Sequence, residues 1–70
     1  MSMFKVKKRI DVMLENVHKI VTEAKKEGKE YIDYIDVVAK LGISSTYARE
    51  LLKLYARIHG LTYYRGKLFI

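Results

Sequence analysis

The side chains best suited to chemistry lie in one stretch of this 70-residue chain, between positions 44 and 57. Hydroxyl groups come first and bases follow at intervals of four residues, in the order Ser44, Ser45, Thr46, Arg49, Lys53 and Arg57. A spacing of four puts the bases on one face of a helix. Such a stripe suits a polyanion, whose phosphates attract ammonium and guanidinium groups. The same stripe, with Glu50 beside it, also fits an ordinary solvated helix face.

Catalytic and metal-binding patterns are not found in the sequence. The chain has no cysteine, so it offers no thiolate nucleophile and no cysteine-ligated metal. The histidines, His18 and His59, have no repeat of Asp or Glu at ligand spacing near them. The hydroxyls have no histidine base at a suitable offset, and the isolated glycines form no phosphate loop. We therefore expect no enzymatic activity, no metal site and no cofactor.

The composition is basic, with 14 Lys+Arg against 8 Asp+Glu and a formal net charge of +6. This balance favours polyanionic partners, although in so small a protein it also serves solubility. The sequence has neither an apolar run that would span a membrane nor the apolar core of a signal peptide. A cytoplasmic location is expected. The absence of glutamine, together with abundant charge, favours a heat-adapted, archaeal source.

The chain is expected to form one domain, residues 1–70, that opens with a long amphipathic helix over about residues 4–27. Apolar residues recur in it at steps of three and four, namely Val6, Ile10, Met13, Leu14, Val17, Ile20, Val21 and Ala24. Gly28 is expected to end the helix in a left-handed conformation. The helix dipole disfavours cations at a helix start, so an anionic partner would explain the four bases there. These bases are Lys5, Lys7, Lys8 and Arg9.

Two shorter helices are predicted next, over about residues 34–41 and 45–59. Asp33 and Ser44 are suitable N-cap residues for them, and Gly42 breaks the chain between them. The residues expected to face the core are Ile35, Val38, Ala39 and Leu41 in the first of these helices, and Ala48, Leu51, Leu52, Tyr55 and Ile58 in the second.

Extended backbone is predicted at Tyr31–Ile32 and in the C-terminal stretch LTYYRGKLFI. Two β-prone runs in that stretch flank Arg65-Gly66, a pair suited to a two-residue hairpin turn. Pairing Tyr64 with Lys67 then separates two faces. The inner face holds Leu61, Tyr63, Leu68 and Ile70, and the outer face holds Thr62, Tyr64, Lys67 and Phe69. The expected fold class is therefore mainly α with a small β-hairpin.

This order of three helices and a terminal hairpin resembles the winged helix-turn-helix family of DNA-binding domains. The residues that carry the resemblance are Val38-Ala39-Lys40-Leu41-Gly42-Ile43-Ser44, then Ala48, Leu51, Leu52 and Tyr55, then Gly60-Leu61. A small residue at Ala39 allows two helices to cross closely, and Gly42 permits the tight turn. The resemblance covers about Glu30 to Ile70 and implies a winged helix-turn-helix fold with the hairpin as its wing.

In this family the third helix lies in the DNA major groove, and the wing touches the backbone or the minor groove. The DNA-binding residues that the resemblance implies are Ser45, Thr46, Tyr47, Arg49, Lys53 and Arg57 on the helix, and Tyr64, Arg65 and Lys67 on the wing. Arg49 is the best candidate for reading guanine, whereas Lys53 and Arg57 suit phosphates. Each residue also has a structural interpretation, which is packing for the tyrosines and solvation for the bases.

The resemblance implies a double-stranded DNA-binding protein, either a transcription regulator or a chromatin-associated factor, located at the nucleoid. Two alternatives stay open: a protein-interaction module in a replication or transcription assembly, and a ribosomal or other RNA-binding protein. A homodimer through the first helix is also expected, because apolar residues at its start extend past the area that the other helices cover. Those residues are Met1, Met3, Phe4, Val6 and Ile10, with Phe69 on the hairpin.

Overall fold

The computed structural model describes residues 8–70, which form three helices and one small antiparallel sheet. In chain order the elements are α1 (Arg9–Lys26), β1 (Tyr31–Asp33), α2 (Tyr34–Leu41), α3 (Ser45–His59), β2 (Thr62–Tyr64) and β3 (Lys67–Phe69). The predicted class, mainly α with a hairpin, is confirmed. None of the helices in this part of the chain has both the length and the apolar character needed to cross a membrane.

The predicted ends of α2 and α3 and the C-terminal end of α1 agree with the structure, but the predicted start of α1, at about residue 4, does not. Lys8 has extended backbone and is the N-cap residue of α1, so α1 begins at Arg9. Residues 4–7 of the predicted first helix lie outside the described residues. Gly28 has a φ of +77°, as the left-handed chain reversal after α1 requires. The side chain of Asp33 accepts a hydrogen bond from the backbone N–H of Ile35, which confirms it as the cap of α2.

The core lies between α1, α3 and the inner face of the sheet. Buried apolar residues repeat along both long helices at steps of three and four, as the sequence predicts. The buried set is Val17, Ile20, Val21 and Ala24 from α1, Ile32 from β1, Val37 from α2, Ala48, Leu51, Leu52, Tyr55 and Ala56 from α3, and Leu68 from β3. Ile10 is half-buried and packs against this core.

The predicted inward face of α2 is wrong at Ile35 and Ala39 and correct at Val38 and Leu41, which are half-buried against the core. Ile35 is 59% exposed and Ala39 is exposed, whereas Val37 is fully buried. The half-buried residues of α2 are Tyr34, Val38 and Leu41, which with Val37 follow the helical steps of three and four. At the start of α2, the backbone N–H of Tyr34 donates to the carbonyl oxygen of Gly66 at 2.8 Å. That bond fixes the start of α2 against the hairpin turn.

The prediction that Ile58 is buried is also wrong, since its side chain is 58% exposed. Ile58 borders an open cavity of about 540 Å³ between α1 and α3. Ala56 takes the buried place instead, on the side of α3 that faces the hairpin. Its carbonyl oxygen accepts the backbone N–H of Leu61 at 2.8 Å.

Helices α1 and α3 run in the same direction along each other. The guanidinium of Arg9 lies 5.6 Å from the ring centroid of Tyr47, near the start of both helices. Further along, the Nδ1 atom of His18 and the hydroxyl of Tyr55 share a hydrogen bond of 2.7 Å. The ring of His59 stacks on Tyr55 with 4.1 Å between centroids. Burial raises the pKa of the Tyr55 phenol above its usual value of 10.0.

The raised pKa of Tyr55 makes the stability of the fold depend on alkaline pH. The unfolded chain releases the phenolic proton at lower pH than the folded chain, so this contribution is complete below pH about 10 and is lost as pH rises further. We expect Tyr55→Phe to reduce the alkaline fall in the free energy of unfolding, measured by urea denaturation at several pH values. The matched control Tyr64→Phe, at an exposed phenol, should keep the wild-type pH profile. Identical profiles for wild type and Tyr55→Phe would contradict this interpretation.

The sheet contains one more strand than the predicted hairpin. Its strand order is β1-β3-β2, and β1 pairs antiparallel with β3 through Tyr31↔Phe69, Ile32↔Leu68 and Asp33↔Lys67. The hairpin register is the predicted one, with Tyr64 opposite Lys67. Both turn residues have positive φ, +49° at Arg65 and +80° at Gly66, as a type I′ turn requires.

The hairpin turn packs tightly against the first residue of α2. Gly66 is buried, and a Cβ atom built on it would lie only 2.6 Å from Cδ1 of Tyr34. Glycine is therefore required at this position for two reasons, its backbone conformation and the proximity of the tyrosine ring.

Gly66→Ala should be much more damaging than Gly28→Ala. The two glycines have nearly the same φ, +80° and +77°, but a Cβ at Gly28 would meet nothing within 4 Å. Gly28→Ala therefore reports the backbone cost alone, about 1–2 kcal/mol. Gly66→Ala should lose about 1–3 kcal/mol more, because the ring of Tyr34 must move. Thermal unfolding followed by circular dichroism measures both, and equal losses would show that the ring contact has no energetic weight.

Candidate nucleic-acid interface

The first turn of α3 presents hydroxyl groups to solvent. The Oγ of Ser44 accepts a hydrogen bond from the backbone N–H of Tyr47 at 3.1 Å, so Ser44 is the predicted N-cap. Ser45 and Thr46 follow it and are both exposed. Their position at the positive end of the helix dipole suits contact with an anion.

The bases of α3 lie beside aromatic rings of neighbouring elements. The guanidinium of Arg49, which is half-buried, lies 4.8 Å from the ring centroid of Tyr34. The Nζ atom of Lys53 lies 5.8 Å from the ring centroid of Tyr63. These contacts hold both cations on the side of α3 that faces α2 and the hairpin. Attraction between a cation and an aromatic face is worth about 0.5–1 kcal/mol at exposed sites.

Lys53 also has an acidic neighbour on its own helix. Its Nζ atom lies 3.6 Å from a carboxylate oxygen of Glu50, and both side chains are more than half exposed. Such a solvated pair holds its partners weakly, so Lys53 can turn to another anion at little cost. Arg57 is exposed in the last turn of α3. The three bases thus stay on one face of α3, as their spacing predicts.

The other flank of α3 is formed by the start of α1. Tyr47 is half-buried there with the guanidinium of Arg9 over its ring, so packing accounts for it. Lys8 is exposed next to Arg9. Lys5 and Lys7, the other two bases of the predicted basic arm, lie outside the described residues.

A groove with a volume of about 600 Å³ crosses the exposed face of α3. Charged and apolar residues share its lining. The charged ones are Glu50, Lys53 and Arg57, and the apolar and aromatic ones include Ile10, Tyr47, Leu54, Leu61 and Tyr63. Leu54 is half-buried, so it is less exposed than its position among the bases implies.

The predicted wing residues lie at the hairpin turn and on the outer face of the sheet. Arg65 is at the turn, next to Gly66, which packs against the ring of Tyr34. Lys67 instead belongs to the outer face, where its Nζ lies 5.3 Å from the ring centroid of Tyr31. Tyr64 is exposed on the same outer face, with the guanidinium of Arg65 5.2 Å from its ring centroid. The wing residues are thus grouped at the turn and on the outer face of the sheet, with the guanidinium of Arg65 beside the ring of Tyr64.

Tyr34 is a residue of the site to which the sequence analysis assigns no role. It contacts Gly66 through its backbone and ring, and its other contact is Arg49. The signal in the sequence is an aromatic residue directly after the N-cap Asp33. That signal does not show which residues contact the ring, because its two partners, Arg49 and Gly66, are distant from Tyr34 in the sequence.

The two histidines come together although the sequence separates them. The rings of His18 and His59 are stacked with 6.1 Å between centroids. Within residues 8–70 there is no group of three or more His, Cys, Asp or Glu side chains arranged to hold a metal ion.

Comparison of the chain with protein-family models, with curated proteins and with solved structures finds no match. The resemblance to winged helix-turn-helix domains therefore stays a prediction from the residues of this chain.

The cap of α3 offers a test of how the site is held. Ser44→Ala removes the bond to the N–H of Tyr47 and should cost about 1 kcal/mol of stability. The control Ser45→Ala, one residue further at an exposed position, should stay within about 0.5 kcal/mol of wild type. Thermal unfolding measures the difference. A larger loss from Ser45→Ala than from Ser44→Ala would contradict the assigned cap.

Proposed function

We propose that the protein is a winged helix-turn-helix domain that binds double-stranded DNA with α3 in the major groove. The observation that carries the proposal is the basic face of α3, where the half-buried Arg49 follows the exposed hydroxyls of Ser45 and Thr46 by one turn and the exposed Lys53 follows them by two. A helix with its side chains is about 10–12 Å across, and the B-DNA major groove is about 12 Å wide.

Arg49 is the residue proposed to read bases. Its planar fork can pair with O6 and N7 of guanine. The contact with the ring of Tyr34 limits the orientations of the guanidinium before DNA binds, which lowers the entropy lost on binding. Ser45 and Thr46 can bond either bases or phosphates.

Phosphate contacts are proposed for the remaining bases of the site. Lys53 and Arg57 are exposed further along α3, where they would position the helix without reading sequence. Arg65 at the hairpin turn would contact the backbone on one flank, as the short wing. Lys8 and Arg9 would do so on the other flank, beside Tyr47.

A transcription regulator or chromatin-associated factor is the proposed class, and a symmetric dimer would let it address two half-sites about one DNA turn apart. Most residues of the predicted dimer contact precede Lys8, outside the described residues. The dimer stays a prediction that sedimentation at micromolar concentration tests.

A protein-interaction module is the second candidate. The observation that favours it is the apolar part of the groove on α3, formed by Ile10, Leu54 and Leu61. An amphipathic segment of a partner could lay its apolar side there and its acidic side on the bases. An RNA target is the third reading, with contacts to backbone and loops.

Titration of duplex DNA by fluorescence anisotropy tests the proposal, at several salt concentrations between about 50 and 200 mM. We expect the logarithm of affinity to fall linearly with the logarithm of salt. The double variant Arg49→Ala, Lys53→Ala should bind at least about tenfold more weakly and with a shallower salt dependence.

The charge-matched control is Lys25→Ala, Lys26→Ala in the last turn of α1. Because α1 and α3 run in the same direction, this turn is remote from the first turn of α3. The control variant removes the same number of positive charges as the test variant, and it should keep most of the affinity for duplex DNA. Equal losses in both double variants would reduce the binding to general charge attraction. If structured RNA bound in the same assay and duplex DNA did not, the result would favour an RNA target.

A further inference from the structure

The outer face of the sheet is a second surface with its own chemistry. It consists of two rows of side chains across the three strands, Tyr31, Phe69 and Thr62 in one row and Asp33, Lys67 and Tyr64 in the other. The opposite face carries Ile32 and Leu68, which are buried in the core. The inner side of the sheet thus packs in the core, and the outer face is its other side.

Aromatic rings on this face are open to solvent. Tyr31 is 42% exposed, Phe69 is 39% exposed and Tyr64 is 58% exposed. The rings of Tyr31 and Phe69 are neighbours, with 5.7 Å between centroids and an angle of 52° between planes. Among residues 8–70, the exposed large apolar side chains that are aromatic all lie on this face. Exposed rings gathered on one face of a fold are typical of a binding surface.

Positive charge stands directly beside the rings. The Nζ of Lys67 is 5.3 Å from the ring centroid of Tyr31, and the guanidinium of Arg65 is 5.2 Å from that of Tyr64. The acidic member of the face, Asp33, has an oxygen engaged by the backbone N–H of Ile35 at the start of α2. Its negative charge is thus directed to the positive end of a helix dipole.

Aromatic platforms with adjacent cations have the chemistry that unpaired nucleotides require. A base stacks its π-face on a ring, and the ammonium and guanidinium groups attract the phosphates on either side of it. A duplex cannot use the rings in this way, because its bases are already stacked on one another and offer only their edges.

The size of the face argues against a protein partner. A stable protein–protein interface needs about 20–30 residues on each side, and this face has two short rows. Charges also stand between its rings, whereas the centre of a protein interface is depleted of charged residues. Two or three nucleotides need no larger area than these rows provide.

We propose that the outer face of the sheet binds single-stranded nucleic acid by stacking unpaired bases on Tyr31, Phe69 and Tyr64, with Lys67 and Arg65 at the phosphates. Arg65 at the hairpin turn belongs to both proposed sites, whereas the rings and Lys67 lie on the outer face of the sheet alone. The proposal therefore does not depend on duplex binding to α3. RNA and DNA single strands share the chemistry, and the 2′-hydroxyl alone separates them.

Fluorescence anisotropy with labelled single strands of about 12 nucleotides, within the range of known site sizes, tests the proposal. DNA and RNA of one sequence form two arms, and the DNA paired with its complement forms a third. The variant Tyr31→Leu, Phe69→Leu keeps apolar bulk and removes the π-faces. We expect it to bind single strands at least about tenfold more weakly and the duplex within about twofold of wild type.

The variant Arg49→Ala, Lys53→Ala serves as the reciprocal control, and it should keep most of the single-strand affinity while losing duplex affinity. This separates the two proposals, because either arm can fail alone. Single-strand affinity that is unchanged in Tyr31→Leu, Phe69→Leu would overturn the stacking surface. Failure of wild type to bind either single strand at about 50 mM salt would do the same.

Two further readouts keep the test decisive. Thermal unfolding checks that the double variant is folded, and if it is not, Tyr64→Leu replaces it, with a loss of about threefold or more supporting the proposal and no loss overturning it. Sedimentation of the wild type and of the double variant tests whether the outer face instead binds a second copy of the chain. If the wild type is a dimer, the double variant is a monomer, and the two bind single strands with equal affinity, the face serves self-association and the proposal is overturned.

Discussion

The contact between Tyr34 and Gly66 is the interaction on which the rest of the structure depends. It joins the start of α2 to the hairpin turn through a backbone hydrogen bond of 2.8 Å and a ring packed where a Cβ would otherwise stand. The bond ties the first residue of α2 to the turn, and the helical steps of three and four from Tyr34 lead to Val37, which is buried, and not to Ile35, which is exposed. The ring of Tyr34 also contacts Arg49, whose guanidinium lies 4.8 Å from the ring centroid. The hairpin turn and Arg49 thus pack against the same ring.

This arrangement gives a chain of 70 residues two differently built surfaces around one small core. On α3 the exposed groups are hydroxyls and cations along a helix, which suit the groove of a duplex. On the sheet they are rings with cations beside them, which suit unpaired bases. The hairpin serves both surfaces, since its inner residue Leu68 is fully buried while its turn and outer residues face the two proposed ligands.

Local rules explain most of what the sequence predicts correctly. Ser44 and Asp33 cap their helices because their side chains reach backbone N–H groups two or three residues away. The Arg65-Gly66 turn and the register of Tyr64 with Lys67 follow from turn geometry. The pairing of β1 with β3 could not be predicted, because three residues of extended backbone carry no mark of their partner. Without knowledge of that pairing, the sequence indicates only that Lys67 belongs to the wing, and it does not show that Lys67 lies beside Tyr31.

The measurement that tests the central claim most directly is a nuclear magnetic resonance titration of the ¹⁵N-labelled protein with duplex DNA. Amide shifts report each position of the chain separately, so they show which face the duplex touches. Binding through α3 predicts the largest changes at Ser45, Thr46, Arg49 and Lys53, with smaller ones at the hairpin turn. Changes confined to the outer sheet face, or none at saturating duplex, would contradict the account.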